Sequence, residues 1–93
     1  MIKSFRCRET KKIYFRQVSQ KLPKDIQQRA FMKLNAIDAA NQLKDLELPP
    51  SNRLEFLKGE RKGQWSIRIN DQWRVCFRWE GSDALDVEIT DYH

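Results

Sequence analysis

The stretch WSIRINDQWRVCFRW, Trp65 to Trp79, changes side at every residue. Trp65, Ile67 and Ile69 alternate with Ser66, Arg68 and Asn70, and Trp73, Val75, Phe77 and Trp79 alternate with Arg74, Cys76 and Arg78. A period of two means extended chain with one face in a core and the other in solvent. Between the two runs, Asn70-Asp71-Gln72 offers the Asn and Asp side chains that favour a tight connection. The stretch therefore predicts an antiparallel hairpin. The same pattern continues outward in both directions. Gly81-Ser82 turns the chain again, and Leu85, Val87 and Ile89 alternate with Asp86, Glu88 and Thr90. Upstream, Leu54 to Lys58 reads as one more strand, turning at Gly59 to Gly63. The result is a meander with an apolar row and a polar row.

Before Pro50 the period lengthens. Ile26, Ala30, Leu34, Ile37 and Ala40 step by four, four, three and three, placing one apolar stripe on a helix that begins at Leu22-Pro23. Proline suits a first turn, where its missing N–H has no intrahelical partner to lose. The pattern fades by Leu46, and Pro49-Pro50 ends it. Glu9 to Val18 is a candidate first helix with Ile13, Tyr14 and Val18 on its apolar side, and Met1 to Arg6 a candidate strand. At 93 residues the chain is one domain, 1–93, because neither half would bury enough surface alone. The fold class is α+β: an N-terminal strand and two helices packed on one face of an antiparallel sheet of four or five strands. Trp65, Trp73 and Trp79 belong to the core at this parity. Ser66, Arg68, Arg74, Arg78 and Glu88 belong to the face opposite the helices.

The net charge of +5 is unevenly spread. Residues 1–16 carry six basic groups against Glu9, residues 52–79 seven against three acids, and the last fourteen residues five acids and no Lys or Arg. Such a surface suits a polyanion, whose neutralised phosphates release counterions; a solvated basic surface accounts for the charge equally well. Two cysteines, Cys7 and Cys76, and a single histidine match no metal-ligand spacing, so any chemistry is expected to proceed without a metal or cofactor. No apolar run approaches the length of a membrane span, and the N-terminal residues lack the apolar stretch of a signal peptide. A cytoplasmic protein with no membrane partner is expected.

The lone histidine is the last residue, in Asp91-Tyr92-His93. An acid near an imidazole favours its protonated form and fixes its orientation, which suits proton transfer near neutral pH. An exposed Asp-Tyr-His is also an ordinary way to end a strand. Arg68, Arg74 and Arg78 share the polar face and have the chemistry to hold a phosphate in a bidentate grip, or to pair with Asp86 and Glu88 across the sheet. Lys58, before Gly59, reads equally as a phosphate ligand or a solvated turn lysine.

Leu57 to Phe77, LKGERKGQWSIRINDQWRVCF, resembles the HigB-type toxins, the plasmid-maintenance killer branch of the RelE/ParE superfamily. The opening MIKSF, AIDAANQLKDL (36–46), PPSNRLE (49–55) and the closing DYH resemble the same family, so the likeness spans the chain. It implies a RelE-like domain that acts as an mRNA endoribonuclease on the translating 70S ribosome. It further implies silencing by a helix-turn-helix, HigA-like antitoxin encoded nearby, and contact with operator DNA only through the antitoxin complex. Lys58, Asp91, Tyr92 and His93 match the family's functional lysine and C-terminal trio, and Arg74 falls where an arginine is expected to contact phosphate. Where some members carry a second histidine, this chain has Glu55, which serves as a base but not as an imidazolium acid. The same superfamily includes toxins that poison DNA gyrase, and a basic RNA-binding module without catalysis is the plainest alternative. The terminal trio favours the nuclease, since a gyrase binder has no use for it.

Overall fold

The computed structural model describes residues 1–91. Two helices, α1 (Arg8–Tyr14) and α2 (Lys24–Ala39), precede four strands, β1 (Glu55–Phe56), β2 (Trp65–Arg68), β3 (Trp73–Glu80) and β4 (Asp83–Asp91). The strands form one antiparallel sheet in chain order. Met1 to Arg6 does not form a full strand. It runs parallel to β4 and touches it at two bridges, Ile2 to Ala84 and Phe5 to Val87. Asp38 of α2 accepts the Ile2 N–H at 2.8 Å, which ties this segment to the helical layer.

The α2 stripe is as the spacing predicts: Ile26, Ala30, Leu34 and Ile37 are buried, with Ala40 just beyond the last turn. They pack on Ile67, Val75, Phe77, Ala84, Val87 and Ile89 from the sheet, with all three tryptophans at the margin of this core. The helix is shorter than its pattern. It stops at Ala39, and Leu46 reaches the core from a separate 3-10 turn, Leu43–Glu47. The first helix is shorter too. Arg16 adopts φ 61° and turns the chain away, leaving Val18 exposed rather than on an apolar helix face.

The largest departure lies in β4. Cys76 pairs with Glu88 but Arg78 pairs with Leu85, so Asp86 and Val87 together oppose Phe77. This is a β-bulge, with Asp86 at φ 53° and its N–H donated to Ser4 Oγ at 2.9 Å. The extra residue flips the parity. Ala84, Val87 and Ile89 are buried, while Leu85, expected in the core, lies on the far face opposite Arg78. Beyond the bulge, Thr10 of α1 accepts the Ile89 N–H at 2.9 Å, fixing the last stretch of β4 on the helical layer.

Candidate active site

Cross-strand partners share a face of the sheet. The register therefore lays two rows on the side away from the helices: Glu55, Ser66, Cys76 and Glu88 across four strands, and Arg68, Arg74 and Thr90 across three. The connection from β1 to β2 shields this face. Leu57 N–H donates to Gln64 O at 2.8 Å, closing the loop, and both residues are buried. Arg61, on the 3-10 turn Gly59–Arg61, reaches over to Glu88 Oε1 at 3.0 Å and to Gln64 Oε1 at 3.2 Å. Under this cover Ser66 and Cys76 are fully buried. Burial pushes the Cys76 thiol up from its usual value, with the Thr90 hydroxyl, Arg61 and Arg74 acting in the opposite direction.

Arg74 is the best-held cation of this face, at 9% exposure. Its Nε donates to Ser66 Oγ at 2.7 Å, and a terminal nitrogen donates to Arg53 O at 2.7 Å and Ser66 O at 3.4 Å. Arg53 turns that carbonyl inward from a left-handed backbone, φ 46°. These acceptors carry no formal charge, and together they fix the orientation of the guanidinium. A cation preorganised in this way stabilises negative charge developing on a phosphate, with little reorganisation at the moment of reaction.

The other expected residues divide. Arg68 lies directly across from Arg74 and is paired with Asp71, whose own side chain is almost wholly exposed. Arg78 is not brought to them. It lies about 13 Å along β3 from Arg74 by strand rise and is committed to Asp86 at 3.2 Å and Glu80 at 3.0 Å. Glu55 is exposed on the outer strand in register with Ser66, and Lys58 is exposed where the shielding loop begins. Asp91 pairs with Trp73, so its parity is that of the helix-facing row rather than of Arg74, and Gln72 Nε2 donates to its Oδ2 at 3.0 Å. Tyr92 and His93 lie outside the described residues.

Three participants escaped the sequence reading. Arg61 reads in the sequence only as charge in a turn, and Glu88, a candidate partner of Arg68, Arg74 or Arg78 across the sheet, pairs instead with Arg61. The Arg53 carbonyl carries no sequence signal at all. The alternation did place Ser66 on the right face, but a serine at that parity says nothing of serving an arginine fork. Among the described residues, no three His, Cys, Asp or Glu side chains gather as metal ligands do.

Comparison with known proteins bears on this geometry. Residues 3–93 match the family described as the RelE-like toxin of type II toxin-antitoxin system HigB. Toxin HigB-1 of Vibrio cholerae is 45% identical over 68 residues, covering 73% of this chain and 72% of that one. Endoribonuclease HigB of Proteus vulgaris is 34% identical over 93 residues, the whole of both chains. The YoeB-YefM complex from Staphylococcus aureus contains a chain similar in fold, with TM-score 0.57 and 18% identity over 100% of this chain and 98% of that one. With residues 3–93 matched and a full-length relative at 34% identity, the chain, two helices on one face of an antiparallel four-stranded sheet, belongs to the HigB family of RelE-like toxins of type II toxin-antitoxin systems.

Proposed function

We propose that this toxin is a metal-independent endoribonuclease that cuts mRNA on the translating ribosome and so arrests translation. The observation that carries the reading is Arg74, whose guanidinium is fixed by Ser66 and the Arg53 carbonyl on the face away from the helices, in an orientation suited to a phosphate. The name of the Proteus vulgaris relative, an endoribonuclease matching over the full length, supports it. In the reaction, the ribose 2′-oxygen attacks the adjacent phosphorus, the bond to the 5′-oxygen breaks, and the products are a 2′,3′-cyclic phosphate and a free 5′-hydroxyl. The nucleophile comes from the substrate itself, so the protein has three tasks: to align the strand, to offset charge on the phosphate and to move two protons. Arg74 and Lys58 offset the charge. His93, tuned by Asp91, gives a proton to the leaving 5′-oxygen or takes one from the 2′-hydroxyl, and Glu55 is the candidate for the complementary transfer. Tyr92 stacks on or orients a base.

Membership of a toxin-antitoxin family makes an antitoxin the natural partner. We take it to be a helix-turn-helix protein that carries the complex to operator DNA, with the toxin acting in the cytoplasm. Among the described residues no helix is long and apolar enough to cross a membrane.

The test is chemical. In a reconstituted translation reaction, a message with a single 2′-deoxynucleotide at the attacked position should resist cleavage there, and the ordinary message should yield cyclic-phosphate and 5′-hydroxyl ends. Cleavage of the deoxy message, or 5′-phosphate products, would mean that water attacks and would overturn this mechanism. Intact messages with inhibited supercoiling would instead identify a gyrase poison.

A further inference from the structure

A second cationic feature lies at the sheet edge, outside the site just described. β1 pairs only with Trp65 and Ser66, so β2 is left as the edge where it ends. There a cleft of about 560 Å³ opens between α2 and the end of β2, walled by Arg29, Lys33, Arg68 and Ser51, with Asp25 as its one acid. Two of the three cations are held in place by neutral groups. A terminal nitrogen of Arg29 donates to Ile69 O at 3.2 Å, and Lys33 Nζ donates to the buried Asn52 Oδ1. Among the described residues neither Arg29 nor Lys33 forms an ion pair, and Asp25 forms none with either of them. Only Arg68 has an acid partner, Asp71, and that carboxylate is so exposed that exchanging it for another anion costs little. Lys33 feels the convergence: burial, then the charges of Arg29 and Arg68, hold its ammonium below the usual lysine pKa. Like charges gathered around one opening, with a single acid among them, create a field that an anion relieves.

Arg68 belongs to both places. It is the cross-strand neighbour of Arg74 and a wall of the cleft, so the row Thr90, Arg74, Arg68 continues over the sheet edge to Lys33 and Arg29. We propose that this cleft binds a phosphodiester of the message strand flanking the scissile bond, so that the strand runs from Arg74 over Arg68 and is gripped again between Arg29 and Lys33. The inference rests on the nuclease reading and adds to it a second, non-reacting phosphate subsite. A remote contact of this kind supplies binding energy common to the bound strand and its transition state, which lowers the toxin concentration needed without changing the rate at saturation. The subsite contacts backbone only, so it positions without reading sequence.

Neutral methylphosphonate linkages, placed one at a time in a message programmed on ribosomes, test it against the variants Lys33→Gln and Arg29→Gln, each checked by thermal melting. Arg29 is exposed on α2, so its variant folds even if the loss of the Lys33 bond to Asn52 loosens the neighbouring loop. Each variant should raise the toxin concentration needed for half-maximal cleavage by about tenfold, the worth of one charge-assisted hydrogen bond, and leave the saturating rate unchanged. In wild type, one flanking methylphosphonate should impose a similar penalty, and in both variants that penalty should vanish. Penalties that simply add at every position would overturn the inference, whether or not the variants also lose affinity for ribosomes carrying no message; that added loss would assign the cleft to ribosomal RNA. Unchanged cleavage with weakened antitoxin binding would overturn it in favour of an acidic face of the antitoxin. A wild-type protein that leaves the message intact would sink the nuclease reading as well, which separates that failure from these.

Discussion

Arg74 concentrates what a single residue shows. Alternation alone put it on the polar face, because parity in a strand is a local property. What the fork would grip was not local: Ser66 comes from the neighbouring strand, and the Arg53 carbonyl depends on a left-handed turn that nothing in PPSNRLE announces. Arg74→Lys keeps the charge and loses the fork. We expect it to lower the single-turnover cleavage rate by about 10²-fold, the scale of losing one aligned electrostatic stabiliser. Its melting temperature should fall modestly, since Ser66 Oγ and the Arg53 carbonyl lose a partner. A variant that cuts at the wild-type rate would show that Arg74 is architectural only. Arg61 illustrates the reverse case. Its residue type was visible, but its reach to Glu88 depends on how the connection between β1 and β2 folds back over the sheet.

Between elements, the readable features were those with a period and the unreadable ones those that interrupt it. The four strands and the α2 stripe follow from spacing. The bulge at Asp86 does not, since Leu85-Asp86-Val87 reads as unbroken alternation, and the Asp86 N–H it frees is taken up by the Ser4 hydroxyl, far away in sequence. The bulge puts Phe77, fully buried, at the centre of the core opposite two residues of β4, so Phe77→Ala should cost about 3–5 kcal/mol in chemical unfolding. A loss below 1 kcal/mol would contradict this packing. The α1–α2 connection was likewise invisible to pattern. Buried Ser19 donates to Glu9 at 2.6 Å and accepts the N–H groups of Lys21 and Leu22, while Gln27 bridges Ser19 and Leu22 from α2. The Ser19 hydroxyl, more than Lys12 and Lys21, holds the Glu9 carboxyl below its ordinary value of 4.5. A depressed carboxylate lends stability that is complete above the unfolded pKa and is lost as pH falls through the folded one. Melting temperature should therefore drop as pH is lowered from 4.5, and Ser19→Ala should drop it less over that range. Parallel pH profiles for the two proteins would exclude the tie.

For the molecule as a whole, charge and topology act together. The helices cover one face, the acids gather toward the end of the chain, and basic groups from the β1–β2 connection and the sheet lie on the other, with Arg29 and Lys33 of α2 at the sheet edge. Ribosome affinity should fall linearly in log–log terms as salt rises, because phosphate contacts release counterions. An affinity flat between low and moderate salt would deny the polyanion its role. The composition made the basic surface legible, but not its division between a reacting face around Arg74 and a cleft around Lys33, which requires the register of β2 on β3 and the seat of α2. The central claim is that this face cuts RNA by proton transfer through the chain's last residue. The most direct measurement is the rate of message cleavage on programmed ribosomes by protein lacking His93, with ribosome binding and thermal melting recorded on the same preparation. Loss of a general acid–base group predicts a fall of about 10²–10⁴-fold in rate with binding and melting unchanged; cleavage at the wild-type rate would contradict it.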